Sequence, residues 1–390
     1  MKKSSFLLYN KRSFKEVKSM EYLDYAASTP VDNKVLNTYV EITKKYYANP
    51  NSNHYLGLEA KKLIDTKTSH IASLLNIKPT EIIYTSGSTE ANNLAIKGTA
   101  LRYKNYGKHI LISSLEHNSI VSSATYLQTL GFEIELIPVN QNGLIDIETL
   151  KSMLRPDTIL VSVCTVDSEL GLRQPVEEIA SLLKEYPHIV FHTDASQAIG
   201  KVPVNLSNID LVTITPHKFY GLPGFGMLVK KENISLIPQI LGGKSTTIYR
   251  SGTPETANIA ALDCALTIAL ENMNTRYDYV KNLNTQIKDY LKTKKNIVIN
   301  SRDNSLPYTI NFSIKDKKSL DIQKSLEKYD IYVSTKTSCC PIETPSKLVY
   351  ALTKDKKISS SSIRVSISHL TTKEEITKFL NTLDIILESE

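Results

Sequence analysis

Apolar strand-like runs alternate with helix-like segments between residues 80 and 230, and this alternation predicts an α/β fold on a mostly parallel sheet. The runs are near-continuous in Val, Ile and Leu, as expected of strands buried on both faces by flanking helices. The 390 residues are enough for a large core and a second unit, one of roughly 230 residues and one smaller.

Strands are predicted at Glu81–Thr85, His109–Ser113, Glu133–Val139, Thr158–Cys164, Ile189–Thr193, Asp210–Thr215 and Gly226–Lys230. Helical periodicity fits Leu56–Leu75, Thr89–Leu101, Asn118–Leu130 and Pro175–Glu185. A long periodic stretch from Glu255 to Lys292 reads as a connecting helix interrupted near Asn274. Beyond it, Tyr308–Phe312, Ser319–Lys328, Ile331–Ser334, Ile363–Ile367 and a helix from Thr372 to Leu387 form a smaller α+β unit.

Composition bounds the function. Hydrophobic and charged contents of 41% and 22% are ordinary for a soluble globular chain. The net charge of +7 is spread along the sequence without a basic block, so direct nucleic-acid binding is not expected. No stretch reaches the length of a membrane span, and the apolar run near Phe6 is too short for a signal peptide. The four cysteines are unevenly spaced, which fits reduced thiols in a cytoplasmic location. No metal site is expected.

The chemistry-bearing residues sit at predicted strand ends. Lys218 lies in Thr215-Pro-His-Lys-Phe-Tyr-Gly221, between an apolar strand and a glycine-rich turn. An amine there is partly desolvated, which makes it a usable nucleophile and a holder of a carbonyl cofactor as a Schiff base. Asp194, in His192-Thr-Asp-Ala-Ser-Gln197, ends another apolar strand. A buried acid and such a lysine on neighbouring strand ends are what pyridoxal phosphate needs, because the acid keeps the pyridine nitrogen protonated. Tyr84-Thr-Ser-Gly-Ser-Thr-Glu90 runs from strand through turn into helix. Its Ser88 and Thr89 read either as part of an anion cup at a helix N-terminus or as an ordinary cap with Glu90 in the first turn. His117 reads either as a helix cap or as a ring that stacks on a cofactor and moves protons.

Taken together, the chain resembles the cysteine desulfurases, the class V aminotransferase branch of the fold-type I pyridoxal phosphate enzymes. The likeness runs from Tyr22-Leu-Asp-Tyr-Ala-Ala-Ser-Thr-Pro30 through Asn49-Pro-Asn-Ser-Asn-His54, Ser86-Gly-Ser-Thr-Glu90, Glu116-His117, Asp194-Ala-Ser-Gln197, His217-Lys218 and Arg250-Ser-Gly-Thr253 to Ser362-Ile-Arg364 and Thr371-Thr-Lys-Glu-Glu375. The resemblance implies that Lys218 carries the cofactor, that Asp194 pairs with its ring nitrogen, that Gln197 contacts the ring hydroxyl and that His117 stacks on the ring. It implies that Ser88, Thr89, Thr215 and His217 hold the phosphate, with Thr253 reaching the phosphate of the other subunit of a homodimer. Arg364 is implied to grip the substrate carboxylate with its planar fork.

Cys339 matches the family's sulfur-accepting loop cysteine when counted from the strand before it, whereas counting back from Arg364 points to Ser338, and Cys340 is an adjacent competitor or resolving thiol. The resemblance therefore implies removal of sulfur from L-cysteine, giving alanine and an enzyme persulfide for a sulfur-acceptor protein of iron–sulfur cluster assembly or tRNA thiolation. Selenocysteine lyases, other β-eliminating lyases and aminotransferases use the same scaffold, and a non-catalytic scaffold is the remaining alternative. The chain departs from the family at Asp167-Ser168, where two asparagines are usual, at Lys244–Thr247 and at Ser368-His369. Ser168 there replaces an amide expected near the substrate. The expected organisation is an extension over 1–19, a large cofactor-binding domain over 30–265, and a small domain of 20–29 with 266–390.

Overall fold

The computed structural model describes residues 20–243, 245–336 and 344–388. The chain opens on β1 (Glu21–Tyr22), α1 (Asn33–Lys45) and α2 (Tyr55–Leu75). There follow β2 (Ile82–Thr85), α3 (Ser88–Tyr103), β3 (His109–Ser113), α4 (Asn118–Gln128), β4 (Glu133–Ile137), α5 (Ile147–Met153) and β5 (Thr158–Ser162). Next come α6 (Val176–Leu183), β6 (Val190–Asp194), β7 (Leu211–Ile214) and β8 (Gly226–Lys230). Strands β2 to β8 form one seven-stranded sheet in the order β2-β8-β7-β6-β5-β3-β4. Only β8 runs against its neighbours β2 and β7; the other pairings are parallel.

Period-two alternation sends Leu111, Val161, Phe191, Val212 and Val229 into one core, and Ile110, Leu160, Val190, Leu211 and Leu228 into another on the opposite face. Helices α3 and α4 cover the second face with Leu94, Ala95, Ile120 and Ala124. Edge strand β4 is the exception to full burial: Glu133 is exposed and Glu135 half-buried, and Arg155 holds both carboxylates at 2.7 and 2.8 Å. Charges on an edge strand discourage pairing with another chain.

The remaining elements are α7 (Thr256–Glu271), α8 (Met273–Lys292), β9 (Ile297–Ile299), β10 (Thr309–Ile314), α9 (Ser319–Glu327) and β11 (Ile331–Tyr332). They end with α10 (Lys347–Thr353), α11 (Lys356–Ser360), β12 (Ser362–Ser366) and α12 (Lys373–Glu388). Strands β12-β10-β9 make a small antiparallel sheet, and β1 pairs in parallel with β11. The N-terminal segment thus lies among the C-terminal elements. Ile310, Phe312, Ile363 and Val365 belong to the same core cluster as the large sheet, so apolar packing runs unbroken between the two sheets.

Several boundaries differ from the sequence reading. The expected strand to Cys164 ends at Ser162, because the Cys164 N–H turns to the Glu116 carboxylate at 2.6 Å. The expected strand to Ser334 ends at Tyr332, with Ser334 left as a single bridge to Arg364. The helix break falls at Asn272, which caps α7 at its end and α8 at its start. Helices α1, α5, α10 and α11 and strand β9 were not expected. In α1 Val35 is buried and Tyr39 and Ile42 are half-buried on the same face, a helical period that the sequence reading overlooked, whereas β9 is three half-buried residues.

Candidate active site

The site lies beyond the C-terminal ends of the parallel strands, the usual place for ligands in open α/β sheets. Lys218 closes a single 3-10 turn, Pro216–Lys218, that follows β7. Gly221 lets the chain fold back tightly, since a Cβ there would lie 2.3 Å from Pro216 Cβ. Lys218 Nζ donates to the carbonyls of Ala26 and Ala27 at 2.8 and 2.6 Å, so the N-terminal segment forms one wall of the site.

Asp194 is the last residue of β6 and is buried. Its Oδ1 accepts from the Ser196 N–H at 2.9 Å, and its Oδ2 from Asn92 Nδ2 at 2.8 Å. Asn92 reaches across from α3, fully buried, and also donates to Ser119 Oγ at 2.9 Å. Two bonds fix the carboxylate in place. Ser196 Oγ, on the cleft wall, is buried with no partner among the described residues, which points to a polar ligand group there.

Helix α3 begins without a side-chain cap. Glu90 is turned away from the cleft: one oxygen takes the Ser86 N–H at 2.8 Å, and Arg250 Nε holds the other at 2.9 Å. Ser88 and Thr89, in the first turn behind Gly87, line the cleft, and first-turn amides have no partner within their own helix. Gly87 has φ 148°, a conformation few side chains tolerate, and a Cβ on Gly226 would lie 2.8 Å from Gly87 Cα.

The cap reading of His117 holds: it caps α4, its Nδ1 accepting from the Ser119 N–H at 3.1 Å, and its ring also borders the cleft. Burial lowers its pKa; Asp194 works against that shift and Lys218 with it. His217 is pushed down to about 4 by burial, then by Lys218 and Lys201, so it is a neutral imidazole at neutral pH. Its Nδ1 pairs with Thr215 Oγ1 at 3.0 Å.

Arg364, on β12, is 1% exposed. A buried guanidinium needs partners, and here Nη2 donates to Asp24 Oδ1 at 2.7 Å and Nη1 to the Ser168 carbonyl at 2.8 Å. Among the described residues its Nε has no partner. The Ser168 loop is pinned by Asp167, whose carboxylate accepts N–H groups from Glu169, Leu170 and Leu172 at 2.9, 2.7 and 2.7 Å. Burial nevertheless raises the Asp167 pKa to about 6. An acid at this position thus serves the turn.

One cleft of about 220 Å³ gathers Ser88, Thr89, His117, Ser168, Asp194, Gln197, His217, Lys218 and Arg364. Thr215 is not among them: it is fully buried, with Oγ1 on the Phe225 carbonyl at 3.1 Å and on His217. Thr253 lines a neighbouring cavity with Ser245, Thr246 and Arg250. Cys339 and Cys340 lie outside the described residues. Sequence reasoning missed Asn92, Asp24 and Lys201; Asn92 lies in a helix with Thr89, Glu90 and Asn93, so nothing in the pattern marks it as a buried polar group.

The class-V aminotransferase family model matches residues 21–379. A protein named cysteine desulfurase IscS from Dictyoglomus turgidum is 36% identical over 376 residues, covering 94% of both chains. A solved structure described as a NifS-like protein superposes with a TM-score of 0.89 at 29% identity, over 95% of this chain and 100% of that one. Another, described as SspA in complex with cysteine, gives 0.79 at 29% identity over 90% of this chain and 100% of the other.

Proposed function

The chain belongs to the class-V aminotransferase family, and we propose that within it the chain is a pyridoxal-phosphate-dependent cysteine desulfurase. The observation that carries this reading is a lysine amine, an anchored carboxylate and a buried guanidinium sharing one cleft. The cleft suits pyridoxal phosphate by its own donors: the uncapped start of α3 for a phosphate, Asp194 for a cationic ring nitrogen and Lys218 for an aldehyde. Ser196 Oγ, buried with no partner among the described residues, is a further polar group that such a ligand would satisfy. When bound, the cofactor supplies an electron sink for charge developing on the substrate.

In this reading the residues divide the work. Arg364 orients the substrate by its carboxylate, using the N–H groups that Asp24 and the Ser168 carbonyl leave over. Lys218 takes and returns the substrate's α-proton, and the neutral imidazole of His117 assists. Gln197 and His117 fix the ring, while Ser88, Thr89 and His217 hold the phosphate, Thr215 supporting His217 from behind. Cys339 receives the sulfur: its thiolate forms an S–S bond as the substrate's C–S bond breaks, that electron pair stays on the three-carbon fragment, and protonation releases alanine. No outside oxidant is needed.

A homodimer, with Thr253 completing the partner's site, and a sulfur-acceptor protein that collects the persulfide complete the proposal. A reducing, cytoplasmic setting fits free thiols at Cys164 and Cys264. Among the described residues no helix is long and apolar enough to cross a membrane. Product analysis with L-cysteine tests the reading. Alanine in step with protein-bound sulfur is expected; pyruvate with free sulfide would assign β-elimination instead.

A further inference from the structure

Lys201 is a second lysine of this region, four residues after Gln197. The chain from Ala195 to Val202 is a run of tight turns, with Ile199 N–H on Ala195 O and Val202 N–H on Ala198 O at 3.0 Å, and it brings Lys201 back beside Gln197. Gly200 permits the turn: its φ is 76°, and a Cβ there would lie 2.8 Å from Ala269 Cβ. Lys201 Nζ donates to Gln197 Oε1 at 2.8 Å and lies 5.7 Å from the centre of the Tyr308 ring. Among the described residues no carboxylate pairs with it. Burial first, then Lys218 and Arg364, brings its pKa down to about 7.

The partner of this ammonium is therefore one end of an amide. An amide has an accepting and a donating end, and whichever end the lysine occupies decides what the cleft meets. With Oε1 held by Lys201, Nε2 points the other way, where one N–H goes to the Ala26 carbonyl at 2.9 Å. The same carbonyl accepts from Lys218. The second N–H of Nε2 is left for a ligand oxygen.

We propose that Lys201 is a positioning residue: it fixes the Gln197 amide so that an N–H, not a carbonyl, faces the ring oxygen of bound pyridoxal phosphate. This rests on the cofactor reading given above. An N–H held on that oxygen competes for the proton the bound group shares with it, so it lowers the pH at which the bound cofactor changes colour. Without Lys201 the amide keeps only its bond to the Ala26 carbonyl, so its N–H is held less firmly on the ring oxygen, and that pH rises.

The test is a pH titration of the visible absorbance of the loaded full-length protein. Lys201→Met raises the midpoint by about one pH unit, and Lys201→Arg stays near the parent. In a Gln197→Ala background, Lys201→Met has little further effect, because the lysine acts through the amide. An unmoved midpoint in coloured Lys201→Met protein, or an equal shift in both backgrounds, overturns the proposal. If Lys201→Met does not fold, Lys201→Gln carries the test: it still donates to Oε1 and must stay near the parent, and a shift there overturns the proposal. A parent that stays colourless with pyridoxal phosphate sinks the cofactor reading as well.

Discussion

Ser334 and Arg364 are backbone partners: the Arg364 N–H donates to Ser334 O at 2.6 Å, and the Ser334 N–H to Arg364 O at 3.1 Å. Ser334 Oγ also donates to Asp24 Oδ2 at 3.0 Å, the carboxylate that pairs with the Arg364 side chain. The segment that contains Cys339 therefore departs from the residue that braces the proposed substrate arginine. Ser334→Pro removes the N–H from this bridge. It is expected to lower kcat/KM for cysteine by about tenfold or more while leaving cofactor affinity unchanged, as titration with pyridoxal phosphate would show.

The Arg364 fork divides its N–H groups between Asp24, the Ser168 carbonyl and the cleft. Lysine cannot reproduce that division, since a single ammonium gives no pair of parallel bonds. Arg364→Lys is expected to lower kcat/KM roughly a hundredfold, mainly through KM, because the lost interaction already exists in the bound substrate. An unchanged KM would remove Arg364 from substrate binding.

Asn92 supplies one of the two bonds that anchor Asp194. Asn92→Leu keeps the volume but drops the donor, and leaves the carboxylate free to turn. The expected result is a loss of about tenfold in cofactor affinity, the size of one hydrogen bond to a charged group. Direct titration measures it, with circular dichroism as the check that the fold is intact.

The sequence made the large sheet readable because its strands are fully buried, as at His109–Ser113 and Gly226–Lys230, where the expected and observed bounds coincide. Lys218, Asp194 and His117 were visible because each sits where an apolar run stops. Asp24 and Lys201 were not. Asp24 reaches the site only because β1 pairs with β11, about 310 residues away, and Lys201 matters through a bond to a neighbouring side chain that no periodicity reveals. Thr215 is a different case: its hydroxyl lies in the motif, yet it bonds the Phe225 carbonyl and His217, which motif reading does not reveal.

His192 bridges three strands of the sheet: its Nδ1 pairs with Ser162 Oγ at 2.9 Å and its Nε2 with Thr213 Oγ1 at 3.1 Å. Burial pushes its pKa down to about 4, against a slight opposing pull from Asp194. Between about pH 4 and 6.5 the unfolded chain binds a proton here that the folded chain does not, so His192 makes stability rise with pH across that window. Asp167, raised to about 6 by burial, works in the opposite sense, so the informative quantity is a difference between variants. From pH 6.5 down to 4, denaturation of the parent should show a stability loss about 3 kcal/mol greater than that of His192→Gln. Equal losses would mean that the buried imidazole already carries its proton.

In the proposed reaction, sulfur from L-cysteine passes to a thiol of this chain. Mass spectrometry of the loaded protein after incubation with L-cysteine tests it directly. One added sulfur on Cys339 is expected, formed in step with alanine, absent in Lys218→Ala and lost in Cys339→Ser. Full sulfur loading in Cys339→Ser, or no loading of any cysteine while the substrate is consumed, would contradict the account.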